Sequence, residues 1–251
     1  MLATMQALLP LEYLEALARA LGRRLEGLLA VLLHGAHARG EVVPGAPVEL
    51  LLVLKQPVDE PARAAVVREL GRLRHRPAGW PLELSLIESY RLGWLRPSVL
   101  QQSLCAGARL LFGDATVLEV IPAWPPARLD RREALDELAA AEAALAGGWE
   151  QLARLHAAGG LLLARGGYQP AFAGRAAAIA RQWPEAPLLA SFDVLPAVEY
   201  VARSRALVED WLFTWEGEGL PAAARERYVA LWRAARASLQ PPITRIILAA
   251  L

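Results

Sequence analysis

Cysteine and lysine are almost missing from this chain. A lone Cys105 in 251 residues excludes an intramolecular disulfide and any cysteine-based zinc cluster, and it is expected simply to pack. Lys55 is the one lysine among 27 basic residues, so arginine carries the positive charge, a bias that fits a GC-rich genome and a hot habitat equally. Those 27 face 26 acidic residues, a net charge of +1. Such a balance creates no long-range field to gather a polyanion, and bulk nucleic-acid binding is not expected. No apolar run reaches the ~18 residues of a membrane span. The opening MLATMQALLPLEYLEALARAL has no basic leader, and Glu12 and Glu15 interrupt its apolar residues, so a secretory signal is not expected and a cytoplasmic location is. Gly-x-Ser-x-Gly, the P-loop and Gly-x-Gly-x-x-Gly are all absent. His34 and His37 stand three apart without the further ligands zinc requires.

What is present supports a large core. Hydrophobic residues make up 55% of the chain and charged ones 21%, and its length favours two domains of about 100 to 200 residues each. The segment around which the rest is organised is Val31 to Leu54, VLLHGAHARGEVVPGAPVELLLVL. Leu28 to Leu33 and Val48 to Leu54 are short continuous apolar runs, the pattern of strands buried on both faces. Between them lies a polar, glycine-bearing loop with Gly35 directly after the first strand and Glu49 entering the second.

This spacing resembles the signature of the nucleotidyltransferase superfamily that includes the minimal nucleotidyltransferases and the kanamycin-type aminoglycoside nucleotidyltransferases. That pattern runs Gly-Ser, a basic or small stretch ending in Arg-Gly, then Ser-Asp-x-Asp or Glu and an apolar strand. Gly35, Ala38, Arg39, Gly40, Glu41 and Pro44 match it, Glu49 takes the second acidic place, and Leu50 to Val53 supply the strand. The departures are Ala36, where the family has its phosphate-binding serine, and Pro47, where it has its first aspartate. In such enzymes the carboxylates hold two magnesium ions that neutralise the triphosphate and activate the attacking hydroxyl. Proline offers no side-chain oxygen.

Before and after this segment the pattern alternates between helix and strand. Leu11, Leu14, Leu17, Ala18 and Leu21 have helical spacing, with a stop at Gly22 to Arg24. A second helix is predicted over Glu60 to Arg74 with Ala64, Val67, Leu70 and Leu73 inward. Trp80 to Ile87 alternates as a strand with one face in the core. The resemblance implies a third carboxylate on that strand, for which Glu83 is the nearest match and Glu88 the next. The other reading of Glu83 is a solvated strand residue. A helix around Ser98 to Ala106 and the run Ala108 to Asp114 are similar to the end of the family's first domain.

Ile121 to Asp130, with three prolines in six residues, reads as a linker, so the expected domains are residues 1–121 and 127–251. Beyond it the chain reads as helices: Asp130 to Leu155, bending at Gly147 and Gly148; Ala171 to Trp183; Val194 to Trp215; and Pro221 to Leu239. Together they predict an antiparallel bundle. The fold class is α+β, a nucleotidyltransferase-like mixed sheet followed by a helical bundle domain. Family members place a carboxylate base from the second domain near the metals; Ala144 stands at that place here and Glu142 is the nearest acid. The apolar tail Pro241 to Leu251 is expected to pack on the bundle or on a second chain, giving a homodimer. His75 and His156 are expected at the surface, and Trp149, Trp183, Trp211, Trp215 and Trp232 in the core.

The resemblance implies Glu49 and Glu83 as catalytic and metal-binding residues, and Gly35, Ala36, His37 and Arg39 as nucleotide-binding, with Arg39 equally suited to pairing with Glu41. It implies magnesium and ATP or another nucleoside triphosphate. Three functions are open: a nucleotide-binding or interaction pseudoenzyme with an eroded two-metal site, an active magnesium-dependent nucleotidyltransferase acting on a small hydroxylated acceptor or a protein side chain, or an assembly scaffold.

Overall fold

The structure, a computed structural model, describes residues 10–41, 43–72, 81–183, 194–216, 224, 227 and 244–248. The chain forms two compact units, one of residues 1–96, 100–123 and 242–251, the other of residues 97–99 and 124–241. The first unit is built on a five-stranded mixed sheet and the second is helical, so the α+β class expected from the pattern is the one observed.

In the first unit, α1 (Leu11–Arg24) leads to β1 (Leu28–His34), a single turn α2 (Gly35–Ala38), β2 (Val48–Leu54), α3 (Glu60–Arg72), β3 (Leu82–Glu88), the short α4 (Ser89–Leu92), α5 (Val99–Cys105), β4 (Arg109–Gly113) and α6 (Thr116–Glu119). A last strand, β5 (Thr244–Leu248), comes from the end of the chain. The strand order is β4-β1-β2-β3-β5, with β2 and β3 parallel and the other pairs antiparallel. Cores lie on both faces. Val31, Leu33, Leu50, Leu52, Leu84 and Leu86 pack with α1 and α3 through Leu14, Leu21, Val66 and Leu70. Ala30, Leu32, Leu51, Val53 and Ile87 pack with α4 and α5 through Leu92, Leu100 and Leu104. Two-sided burial is what makes β1 and β2 continuous apolar runs.

Three local expectations are corrected. On α3, Val66, Glu69 and Leu70 are buried while Ala64 and Val67 are exposed. The helix is rotated because Glu69, among the guanidinium groups of Arg72 at 2.7 Å, Arg68 at 3.6 Å and Arg24 at 3.8 Å, is buried at low cost. On β3, Ser85 and Ile87 are as buried as Leu84 and Leu86, so it is not a strand with one solvated face. Cys105 is exposed, close to the Pro122 carbonyl.

In the second unit, α7 (Ala134–Ala146), α8 (Glu150–Ala164), α9 (Phe172–Gln182) and α10 (Ala197–Glu216) pack together. The single long helix expected from Asp130 is two helices. Gly147 and Gly148 end α7, with Trp149 N–H returning to the Ala144 carbonyl at 2.8 Å, and α8 continues through the apolar Leu161 to Ala164. Of the predicted Pro221 to Leu239 helix only residues 224 and 227 are described, both helical, and His75 and Trp232 lie outside the described residues.

At the centre of this unit is an ion pair that periodicity did not reveal. Arg175 on α9 donates to both oxygens of Glu137 on α7 at 3.2 Å each, and to the carbonyls of Leu155 at 2.7 Å and Gln169 at 3.0 Å. His156 Nδ1 lies 2.8 Å from Glu137 Oε2, so His156 serves an internal network instead of the surface expected of it. Burial alone would raise the Glu137 carboxyl, but Arg175 and then His156 outweigh it and hold it at about 2. Trp183 is buried and stacked on Trp211, with the Arg165 guanidinium against both rings, whereas Trp149 is exposed.

Candidate functional site

The sheet register assembles the site. His34 on β1 pairs with Glu49 on β2, and Glu49 pairs with Glu83 on β3. Directly paired residues point to the same face of a pleated sheet, so the histidine and both acids form one row on the face that carries Leu32, Leu51 and Ile87. Glu49 and Glu83 stand at the starts of parallel strands, where side chains are half-covered, and the Glu49 side chain is 27% exposed.

Gly35 decides where Glu49 sits. Its φ of 71° turns the chain immediately after β1, and a Cβ there would coincide with the Glu49 carboxylate, so the carboxylate lies directly on the glycine. The Gly35 N–H donates to Ser103 Oγ on α5 at 3.0 Å. Ser103 Oγ lies 3.5 Å from His34 Nδ1, which is 3.8 Å from Glu49 Oε1. Both contacts fall on the same imidazole nitrogen, which sets this group apart from the relayed nucleophile–base–acid geometry of a hydrolase triad.

The remaining loop residues form a closed structure of their own. His37 is buried, with Nδ1 3.1 Å from the Pro47 carbonyl. A carbonyl only accepts, so Nδ1 carries the proton, and the backbone oxygen of Pro47 is engaged by this ring. Burial lowers the His37 pKa, opposed by that bond, and so favours the neutral ring. Arg39 Nε donates to Glu41 Oε2 at 2.9 Å, with the two side chains only 12% and 15% exposed, so the pair is inside the loop and not in solvent. Ala36 is 2% exposed. Glu142, the acid nearest the family's base position, accepts from Arg205 Nε at 2.6 Å.

For magnesium the donor set is short. Glu49 and Glu83 supply hard carboxylate oxygens in one row, and among the described residues no group of three or more His, Cys, Asp or Glu is arranged to hold a metal ion. One magnesium bound by one or two carboxylates plus phosphate oxygens fits that supply, whereas two ions do not. A separate open depression between the ends of α1 and α3, walled by Arg24, Glu69, Gly71 and Arg72, belongs to the other face of the sheet. Both of its guanidinium groups, Arg24 at 3.8 Å and Arg72 at 2.7 Å, lie against the one carboxylate of Glu69.

Sequence reasoning singled out Gly35, Glu49 and Glu83 and missed Ser103, which sits in an unremarkable QQSLC run with no spacing to flag it. No protein-family model matches the chain, and no curated protein sequence does. Among solved structures it is similar to the spectinomycin adenyltransferase AAD(9) from Enterococcus faecialis, solved with ATP and spectinomycin, at a TM-score of 0.55 and 15% identity over 80% of this chain and 98% of that one. The fold is therefore nucleotidyltransferase-like. No helix among the described residues is long and apolar enough to cross a membrane.

Proposed function

We propose that this protein binds a magnesium-escorted nucleoside triphosphate at the Glu49–Glu83 row and is impaired in, or has lost, nucleotide transfer. The observation that carries the reading is the register that sets Glu49 beside Glu83 next to the turn at Gly35, while Pro47 occupies the place of a further carboxylate. Glu49 and Glu83 supply the oxygens for one ion. When bound, magnesium offsets the charge of the triphosphate. Gly35 keeps the space over its Cα open for the Glu49 carboxylate, Ser103 pins the Gly35 amide, and the His37–Pro47 bond fixes the loop entering β2. Pro47 supplies no oxygen where the resemblance puts the first metal-holding carboxylate, so the ion that would activate an acceptor hydroxyl lacks a ligand there.

ATP is the nucleotide to try first, because the structural neighbour was solved with it. Calorimetric titration with ATP is expected to give magnesium-dependent binding that Glu49→Gln weakens strongly. Incubation with labelled ATP and spectinomycin or other hydroxylated acceptors is expected to give no AMP transfer. Robust transfer would replace this reading with the second one, an active nucleotidyltransferase using Glu49 and Glu83. That reading draws on the same paired acids and requires Glu49→Gln to abolish turnover.

A further inference from the structure

The depression at the ends of α1 and α3 lies on the sheet face away from Glu49 and Glu83 and takes no part in the nucleotide site proposed above. Its volume is about 730 Å³, within the range of small-molecule pockets. Its walls are charged. Arg24 is the last residue of α1, Arg72 the last of α3, and Arg68 stands one turn before Arg72. Glu69 is buried while the three arginines are exposed, so solvent meets guanidinium groups and not the carboxylate. Three positive charges against one negative leave an excess of two, gathered in one place on a chain whose net charge is +1. Arg72 Nη1 donates to Glu69 at 2.7 Å, whereas Arg24 at 3.8 Å and Arg68 at 3.6 Å lie past hydrogen-bond range. Glu69 thus draws the two together by charge without using up their donors. Gly71 leaves the wall open, since a Cβ there would meet nothing within 4 Å among the described residues.

We propose that this depression binds the dianionic phosphate group of a small molecule, held by Arg24, Arg68 and Arg72, with Glu69 as the buried carboxylate that keeps the three together. The planar fork of an arginine matches two phosphate oxygens at once, and the excess of two charges equals that of the dianion. Arginines in a last helical turn also favour the negative end of the helix. That effect explains a contribution to stability from Arg24 and Arg72, but not the gathering of groups from two helices around one acid beside an open cavity. Binding, and not stability, is therefore what separates the two roles.

The test is calorimetric titration of the full chain with inorganic phosphate and, separately, with glycerol 3-phosphate, at matched ionic strength and without magnesium. Saturable binding is expected for both. Equal affinities assign the free anion, and tighter binding of the ester assigns a phosphorylated small molecule. Arg24→Gln and Arg72→Gln are each expected to weaken both probes about tenfold, the scale of a lost charge-assisted hydrogen bond. Both side chains are exposed, so neither change opens the core, and circular dichroism checks that the variants are folded. Arg63→Gln removes the same charge from α3, where Arg63 pairs with Glu60, and is expected to keep the affinity. Glu49→Gln, on the opposite face, is expected to keep it as well, which makes this result independent of the nucleotide-binding reading. The assignment falls if wild type shows no saturable binding of either probe below about 10 mM. It falls equally if folded Arg24→Gln and Arg72→Gln bind as wild type does, the signature of arginines that serve only the helix ends, or if Arg63→Gln or Glu49→Gln matches their loss.

Discussion

Gly35 and Glu49 compete for one small volume, and only the missing Cβ lets both be there. Gly35→Ala adds a left-handed backbone cost of roughly 1–2 kcal/mol and pushes the Glu49 carboxylate off its position. Urea denaturation is expected to show a loss of that order, and ATP titration a larger proportional loss of affinity than of stability. His37 carries a pH signature. Its folded pKa lies below 6.5 because burial disfavours the charged ring, so the unfolded chain takes up the proton first as pH falls. The contribution is therefore complete above 6.5 and declines below it, levelling once the native ring also protonates. Denaturation midpoints measured between about pH 7.5 and pH 5 are expected to drop for wild type and to drop less for His37→Asn, where no group titrates.

At the scale of elements, α7, α8 and α9 meet on Glu137 and Arg175. Gly159 on α8 allows the approach, since a Cβ there would stand 2.8 Å from Glu137 Oε2 and equally close to the Arg175 guanidinium carbon. Glu137→Gln leaves the Arg175 guanidinium buried with the neutralising charge of its partner gone, and a cost of about 3–5 kcal/mol is expected by chemical denaturation. The carboxyl is held from 4.5 down to about 2, so its contribution is complete above 4.5 and fades as pH falls toward 2. Far-ultraviolet circular dichroism during acid titration is expected to show helix loss in that window for wild type, and at higher pH for Gly159→Ala. Helix existence was legible from apolar spacing: α1, α5, α9 and α10 lie within a few residues of where the pattern puts them. The facing of α3 was not, because a buried glutamate surrounded by arginines looks in sequence like a solvated stripe. The α7–α8 break was half legible, as a bend at Gly147 and Gly148, since glycine marks a weak point without saying whether the next turn reverses the chain.

For the whole molecule the unexpected feature is that the last described segment, Thr244–Leu248, belongs to the first unit's sheet. Of the apolar tail, which composition would leave to the bundle or to a second chain, residues 244–248 lie along β3. Deleting residues 242–251 strips β3 of its outer partner and opens a row of unpaired backbone groups. The truncated chain is expected to melt at lower temperature and to elute as higher oligomers in size-exclusion chromatography. A monomeric truncation with an unchanged melting temperature would show that β5 contributes little to the sheet.

The amino-acid order alone determined the α+β class and the central strands, because each depends on spacing within a short window, apolar runs for strands buried on two faces and a glycine-bearing loop between them; Gly35, Glu49 and Glu83 were singled out by the resemblance laid on that spacing. Tertiary structure alone decided that Glu49 and Glu83 share a row, that Ser103 holds the Gly35 amide, that Glu137 meets Arg175 and that β5 lies against β3. Those pairings join positions between 34 and 166 residues apart, and nothing in local periodicity encodes which distant partner a strand edge or a buried charge will find.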